Sequence, residues 1–428
     1  MDDKLKKLHA SGIYVELLKE DNSLFSNTKE FIIRLDKVEL VADLLLGMRN
    51  NDPLLVHLSK LQGLKLSISL SHTKFIFSNN LNLYMSVIDL PEYFKNQSVL
   101  FSEMLDFSKK NPHLIRTTFN VWNNALNLEI PTLHHRFQAE NNLSYDVNLE
   151  ALELDAFIYN HSNFNILSKM DTFNIALKHL EESQVIFNIK NGSLNLITQE
   201  QNTQVEIKSD HLYLGLHIDK NSTIEVSQFH SFQSYQEERM TNFKSQLSMK
   251  KLHVDYNDES IQVNDSNYDI ELLHLNPKVL SHITDLIHTS NTNSVAFVFD
   301  DLSDDILSLL KDDSALHLNN LSFSDILVND QHFYDAKLSL NAQSQSENHE
   351  LPVLFNLNLH LSKTLYKYFL NNVANASFIQ YYLDNTNSID FHMALTPHGF
   401  MLNDKELLFI NHETNSSENN QSDTVNFL

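Results

Sequence analysis

The sequence predicts an α+β fold, mainly antiparallel β, built as extended curved sheets with a few short helices. Three observations carry this. Apolar and polar residues alternate at period two through most of the chain, the mark of strands with one buried face. The opposite face of those strands is polar, which suits antiparallel sheets rather than parallel sheets covered on both sides. Helical spacing interrupts the strands only here and there, without a βαβ rhythm.

Taken in chain order, the clearest strand runs begin with Leu64, Leu66, Ile68 and Leu70, followed by Leu81, Leu83, Met85 and Val87. Leu143, Tyr145, Val147 and Leu149 form the next, and Leu212, Leu214, Leu216 and Ile218 another. Leu252, Val254 and Tyr256 precede a long run from Val353 through Phe355, Leu357 and Leu359 to Leu361, and Ile389, Phe391, Met393 and Leu395 close the series. Helices are expected where apolar residues recur every three or four positions. Lys37 to Met48 is one, and Glu92 to Phe107, opened by Pro91, is another. Pro277 to His288, Leu302 to Leu310, and Ser362 to Ala376 with Ser362 as N-cap complete the set.

Six Gly and seven Pro in 428 residues leave boundaries poorly marked. The polar stretches Phe232 to Asn242, Ser290 to Ser294 and Asn341 to His349 are the best breaks. They divide the chain into a β-rich region over 1–231, a second over 243–410, and a tail, 411–428, whose Asn/Ser/Glu-rich start argues for disorder. No strict internal repeat is legible.

The charge balance, 31 Lys plus Arg against 55 Asp plus Glu, gives −24 and argues against a nucleic-acid or anionic-lipid surface. With no Cys, disulfides, thiolate nucleophiles and Cys-ligated metals are excluded. Scarce Gly excludes phosphate loops and nucleophile elbows, and none of their signatures occurs. The 22 His form no His-Glu-x-x-His; His134 and His135 point to opposite faces of a strand, and His282 and His288 to different faces of a helix. Asp300, Asp301, Asp304, Asp305, Asp312 and Asp313 lack the ladder, central Gly and distal Glu of a calcium loop and read as an acidic first helical turn. No catalytic residue, metal or cofactor is therefore expected. A His with a carboxylate partner beside a Ser, Thr or metal in a cleft would count against that expectation.

Four stretches fit the bacterial N-glycosylation pattern, an acid two residues before Asn and Ser or Thr two after. They centre on Asn142, Asn221, Asn415 and Asn420. Chance alone gives about one match in a chain this rich in Asn. The excess favours a periplasmic protein, and an accident of composition is the alternative.

Four colinear segments resemble the YdgA-like family, bacterial proteins grouped as a domain of unknown function. Gly12-Ile13-Tyr14-Val15 with Leu24-Phe25-Ser26-Asn27-Thr28 is similar to the family's opening strand and Leu-Phe-Ser turn. Asp219 to Val254 resembles its Ser-rich loop and the following Lys-Leu-x-Val strand, here Lys251 to Val254. Leu272 to Leu280 is similar to a strand running through Asn276 into a short helix. Ile389 to Leu407 resembles the closing hairpin, with Gly399 to Leu407 matching Gly-x-x-Leu-Asn-Gly-Lys-x-Leu except that Asp404 replaces the turn Gly. The resemblance implies one N-terminal inner-membrane helix, expected upstream of Met1, with the remainder in the periplasm. It attributes no catalytic residues to the family.

Together these readings lead to the expectation of a non-catalytic periplasmic envelope protein, tethered to the inner membrane and acting through contacts with other envelope proteins. A scaffold or accessory of a larger assembly such as a flagellar motor is one form. The alternative is binding or transport of lipid or another hydrophobic ligand along an apolar β groove.

Overall fold

The computed structural model describes residues 8–41, 58–74, 80–95, 99–139, 141–160, 163–180, 182–217, 221–237, 240–257, 259–276, 314–329, 331–344, 353–372, 388–396, 399–403 and 405–409, with Lys6 and Leu55. The chain is mostly antiparallel β, 75% strand against 12% helix, as its alternation predicts. It forms two compact units interleaved in sequence. Residues 1–239, 243–269 and 322–335 make the first, and residues 240–242, 270–321 and 336–428 the second.

Unit 1 is an up-and-down antiparallel meander. Its strands are β1 (Ile13–Asn22), β2 (Ser26–Leu35), β3 (Lys65–Thr73), β4 (Asn80–Asp89), β5 (Ile115–Asn120) and β6 (Ala125–Gln138). They continue as β7 (Leu143–Asn160), β8 (Asn163–His179), β9 (Glu182–Gln199), β10 (Asn202–His217) and β11 (Asn221–Glu237), each paired with the next. Thr223 Oγ1 donates to Asp255 Oδ2 at 3.0 Å, tying β11 to β12 (Thr241–Tyr256). Gln246 Nε2 donates to Asp269 Oδ2 at 2.9 Å, tying β12 to β13 (Glu259–Leu275). After β14 (Ala315–Phe323), which falls mostly in unit 2, β15 (Asp325–Val328) pairs with β13 and with β16 (Gln331–His332). Such nearest-neighbour pairing follows from short turns between strands of matched length.

Helices attach to the early strands. The Lys37 helix begins at Val38, which is buried along with Val41, and the rest of that prediction lies outside the described residues. The Glu92 prediction becomes two pieces, α1 (Glu92–Lys95) and α2 (Val99–Lys110). Helix α2 docks by accepting the Val87 N–H on Ser108 Oγ at 2.8 Å and by setting the Phe107 ring 4.3 Å from His135 and 5.5 Å from Phe137.

Unit 2 contains β17 (Ala336–Ser344), β18 (Val353–Ser362), α3 (Lys363–Asn372), β19 (Ser388–Thr396), β20 (Gly399–Leu402) and β21 (Lys405–Phe409), with β14 against β17 and β17 to β21 paired in succession. Ser362 caps α3 as its sequence suggests: its Oγ accepts the Leu365 N–H at 3.4 Å. Leu365, Tyr366, Ala394 and Leu402 are buried in this unit.

The strand runs are placed as expected, apart from Leu64, which precedes β3, and Ile218, which lies outside the described residues. The helices predicted over 277–288 and 302–310, the Asp300 to Asp313 cluster, Ser290 to Ser294 and the tail from 411 also lie outside them. Two of the polar stretches are strand in part: Phe232 to Glu237 is the last third of β11 and Asn341 to Ser344 the end of β17, while the change from unit 1 to unit 2 at 239/240 falls within the first stretch.

Candidate functional site

The pairing register lines up apolar side chains from strand to strand in unit 1. One row runs Leu133, Leu149, Phe173, Ile189, Leu212, Val226 across β6 to β11. The next runs Val147, Ile175, Phe187, Leu214, Ile224 across β7 to β11. A third crosses nine strands from β3, through Leu70, Leu83, Thr117, Leu128, Leu154, Ser168, Leu194, Ile207 and Ser231. At about 4.8 Å per strand this apolar stripe is roughly 40 Å long.

The back face carries the complementary pattern. Glu129, Glu153, Lys169, Ser193, Lys208 and His230 form one polar row. Asp146 accepts from Arg136 at 2.6 Å and from Lys178 at 2.6 Å, and the Arg136 hydrogen bond, then Lys178, lowers its pKa to about 2. Lys208 and His230 lower the pKa of Glu206 in the same way, against its partial burial.

The phase of alternation inverts midway along each long strand. In β7 the apolar positions are odd to Leu149 and even from Leu152; in β9 odd to Ile189 and even from Leu194. In alternate strands the inversion coincides with a left-handed residue. Ala151, Asn191, Gln228 and Asp265, one in every second strand, have φ of 49°, 49°, 49° and 47°. The ladders skip pairs at these positions, and Asn191 Nδ2 donates to Asp210 Oδ2 at 2.7 Å across the interruption. The register is unchanged across these positions, so no residue is inserted; a left-handed residue in the extended chain turns the following side chains to the other parity, and the apolar residues on both sides of this kink row stay paired with one another.

Among the described residues the stripe is covered at one end only. Helix α2 shields Phe137, which is buried, whereas farther along Leu194, Ile207 and Ile224 are 36%, 42% and 42% exposed. A side chain beneath a second layer falls to a few per cent. At the turn end of β7 to β10 lies a cleft of about 590 Å³, lined by Tyr159, Phe164 and Ile197 together with polar residues such as Asn165, Gln199 and Glu200.

The glycosylation candidates do not form a site. Asn142 is exposed in the turn before β7 with φ 60°, and Asn221 is exposed at the start of β11, its Oδ1 3.0 Å from His217 Nδ1. Asn415 and Asn420 lie outside the described residues. His134 and His135 face opposite ways, the first exposed and the second against Phe107.

In unit 2 a cleft of about 480 Å³ holds His360, whose Nδ1 lies 2.6 Å from Asp390 Oδ1, with Ser339 also in its wall. The pair and the hydroxyl thus share a cleft, in part the arrangement that would count for catalysis. Asn358 donates to the Ser339 hydroxyl at 3.4 Å, and the Asp390 side chain is 76% exposed, so water competes for the carboxylate that would have to orient the imidazole. Pairs of the same kind recur on solvated strand faces at His332 with Asp325 and His230 with Glu206. Among the described residues no cluster of three His, Asp or Glu is arranged to hold a metal ion.

No family model, no curated protein and no solved structure matches the chain. The likeness to the YdgA-like family accordingly stands on the four quoted segments alone.

Proposed function

We propose that unit 1 binds lipid or a similar long-chain amphiphile by laying its apolar chain along the β3 to β11 stripe. The observation that carries this reading is a mainly aliphatic row across nine strands, interrupted by Thr117, Ser168 and Ser231, in which Leu194 and Ile207 stay 36% and 42% exposed. Aliphatic side chains predominate along it, with few hydrogen-bonding groups, as suits methylene chains rather than polar ligands. Each methylene moved from water onto such a surface contributes up to about 0.8 kcal/mol, so an acyl chain half in contact still binds usefully. The YdgA-like segments and the glycosylation pattern support placing this activity in the periplasm of a tethered protein.

The same face could instead be covered by an envelope protein, as the scaffold reading requires. Native mass spectrometry of the purified chain, with a fluorescent fatty-acid probe titrated in detergent-free buffer, separates the two. Co-purifying lipid and saturable probe binding support carriage. A lipid-free chain that ignores the probe but retains a protein from envelope extract supports the scaffold and rejects carriage.

A further inference from the structure

The three most exposed large apolar side chains among the described residues are Leu24, Trp122 and Tyr159, at 85%, 78% and 71%. Each sits at a hairpin tip of unit 1: β1–β2, β5–β6 and β7–β8. Phe25, Val121 and Ile158 beside them are half exposed or more. The register shows that the tips belong to one end of the sheet. Asn22, Asn27, His72, Leu81, Phe119, Leu126 and Ala156 form a single row across β1 to β7, and every tip lies within a few residues beyond it.

Two of these turns satisfy their own backbones. Ser23 Oγ accepts the N–H groups of Phe25 at 3.3 Å and Ser26 at 3.0 Å. Asn120 Oδ1 accepts from Trp122 N–H at 3.0 Å, and Asn123 Oδ1 from Ala125 N–H at 3.2 Å. A turn whose donors are engaged internally loses less on leaving water, which is the condition for entering a membrane interface. Ser23 to Ser26, Val121 to Asn124 and Ile158 to Asn160 contain no charged residue, in a chain of net charge −24.

We infer that this rim docks on the interfacial region of a zwitterionic lipid bilayer. Trp, Tyr, Phe and Leu are the side chains that settle at headgroup depth. The tips are discrete prongs, the first two about 20 Å apart by strand spacing. A fluid interface accepts separate prongs without matching pockets, whereas a protein partner would need a pocket for each. Lys74 Nζ donates to Ser23 O at 2.6 Å on the first tip, but one lysine in a chain of net charge −24 does not make a basic patch, so a neutral surface is favoured over an anionic one. Tyr159 also lines the cleft at the turn end of β7 to β10, so docking would bring that end of the sheet to the surface from which lipid comes. The inference extends the lipid reading and is tested separately from it.

Trp122 is the sole tryptophan, so its fluorescence reports one tip. The full chain is mixed with phosphatidylcholine vesicles, with vesicles containing phosphatidylglycerol, and with vesicles of acyl-brominated lipid. The expected results are a blue shift of emission on phosphatidylcholine, quenching by the brominated lipid, and co-sedimentation. Leu24→Ser combined with Phe25→Ser should lower partitioning about tenfold with an unchanged circular dichroism spectrum. Unshifted Trp122 emission, binding only to anionic vesicles, or partitioning indifferent to the double substitution would each overturn the inference. Probe loading without vesicles is scored independently: docking without loading retains the rim and removes carriage, and loading without docking does the reverse.

Discussion

At the scale of single residues, Gly12 and Asp146 do work that their neighbours in sequence do not announce. Gly12 has φ +85°, and a Cβ there would meet Lys37 O at 2.5 Å, while its own carbonyl accepts the Asp36 N–H at 2.8 Å. Gly12→Ala therefore combines left-handed strain with a backbone clash and should lower unfolding stability by about 2 kcal/mol, read from the denaturant midpoint. Asp146 has its folded pKa depressed to about 2 by Arg136 and Lys178. A depressed carboxylate adds stability above its unfolded pKa, and that stability is lost as pH falls through the folded value. Asp146→Asn should cost about 1 kcal/mol near neutrality, after allowing for solvent screening. The difference from the parent chain should fade between roughly pH 4 and pH 2 in parallel denaturation curves; a difference that persists at the acid end would show that the loss is not electrostatic.

At the scale of elements, the kink row separates two alanines of one strand. Ala151 holds φ 49°, whereas Ala156 is buried in regular β7. Glycine relieves the first conformation and only loosens the second. Ala151→Gly should raise stability by up to about 1 kcal/mol, and Ala156→Gly should lower it by about 1 kcal/mol or more. Equal losses at both positions, measured by thermal unfolding, would refute the account of the kink as a left-handed turn of the strand. The row also explains why no repeat was legible. Val147 to Ala151, Phe187 to Asn191, Ile224 to Gln228 and Ile261 to Asp265 share an apolar-polar-apolar-polar pattern ending in the αL residue, yet share almost no identities.

At the scale of the molecule, the proposed lipid binding requires one face of unit 1 to stay accessible, as it is among the described residues at Leu194 and Ile207. Ile207→Asp places a charge on the stripe at a position 42% exposed, where the chain itself tolerates it. It should reduce fatty-acid probe affinity about tenfold or more while leaving strand content by circular dichroism unchanged. The same charge on the back face, introduced by Ser193→Asp, should leave probe binding alone. Equal effects at both sites would point to general destabilisation rather than a bound chain.

The sequence by itself determined the strands, the antiparallel class and the capped α3 helix. Alternation and capping are local, and each is written within a few residues, as in Val353 to Leu361 and at Ser362. It also held the phase inversions at Leu149 and Leu152, legible in retrospect. Only the tertiary structure decided that those inversions align into one row, that the stripe crosses nine strands, and that Leu24, Trp122 and Tyr159 share an end of the sheet. Register is a relation between strands that no single strand encodes, and exposure depends on whether another layer arrives to cover a face. Both are settled by pairing and packing over long sequence separation, so apolar residues that read as an ordinary core became a candidate binding surface.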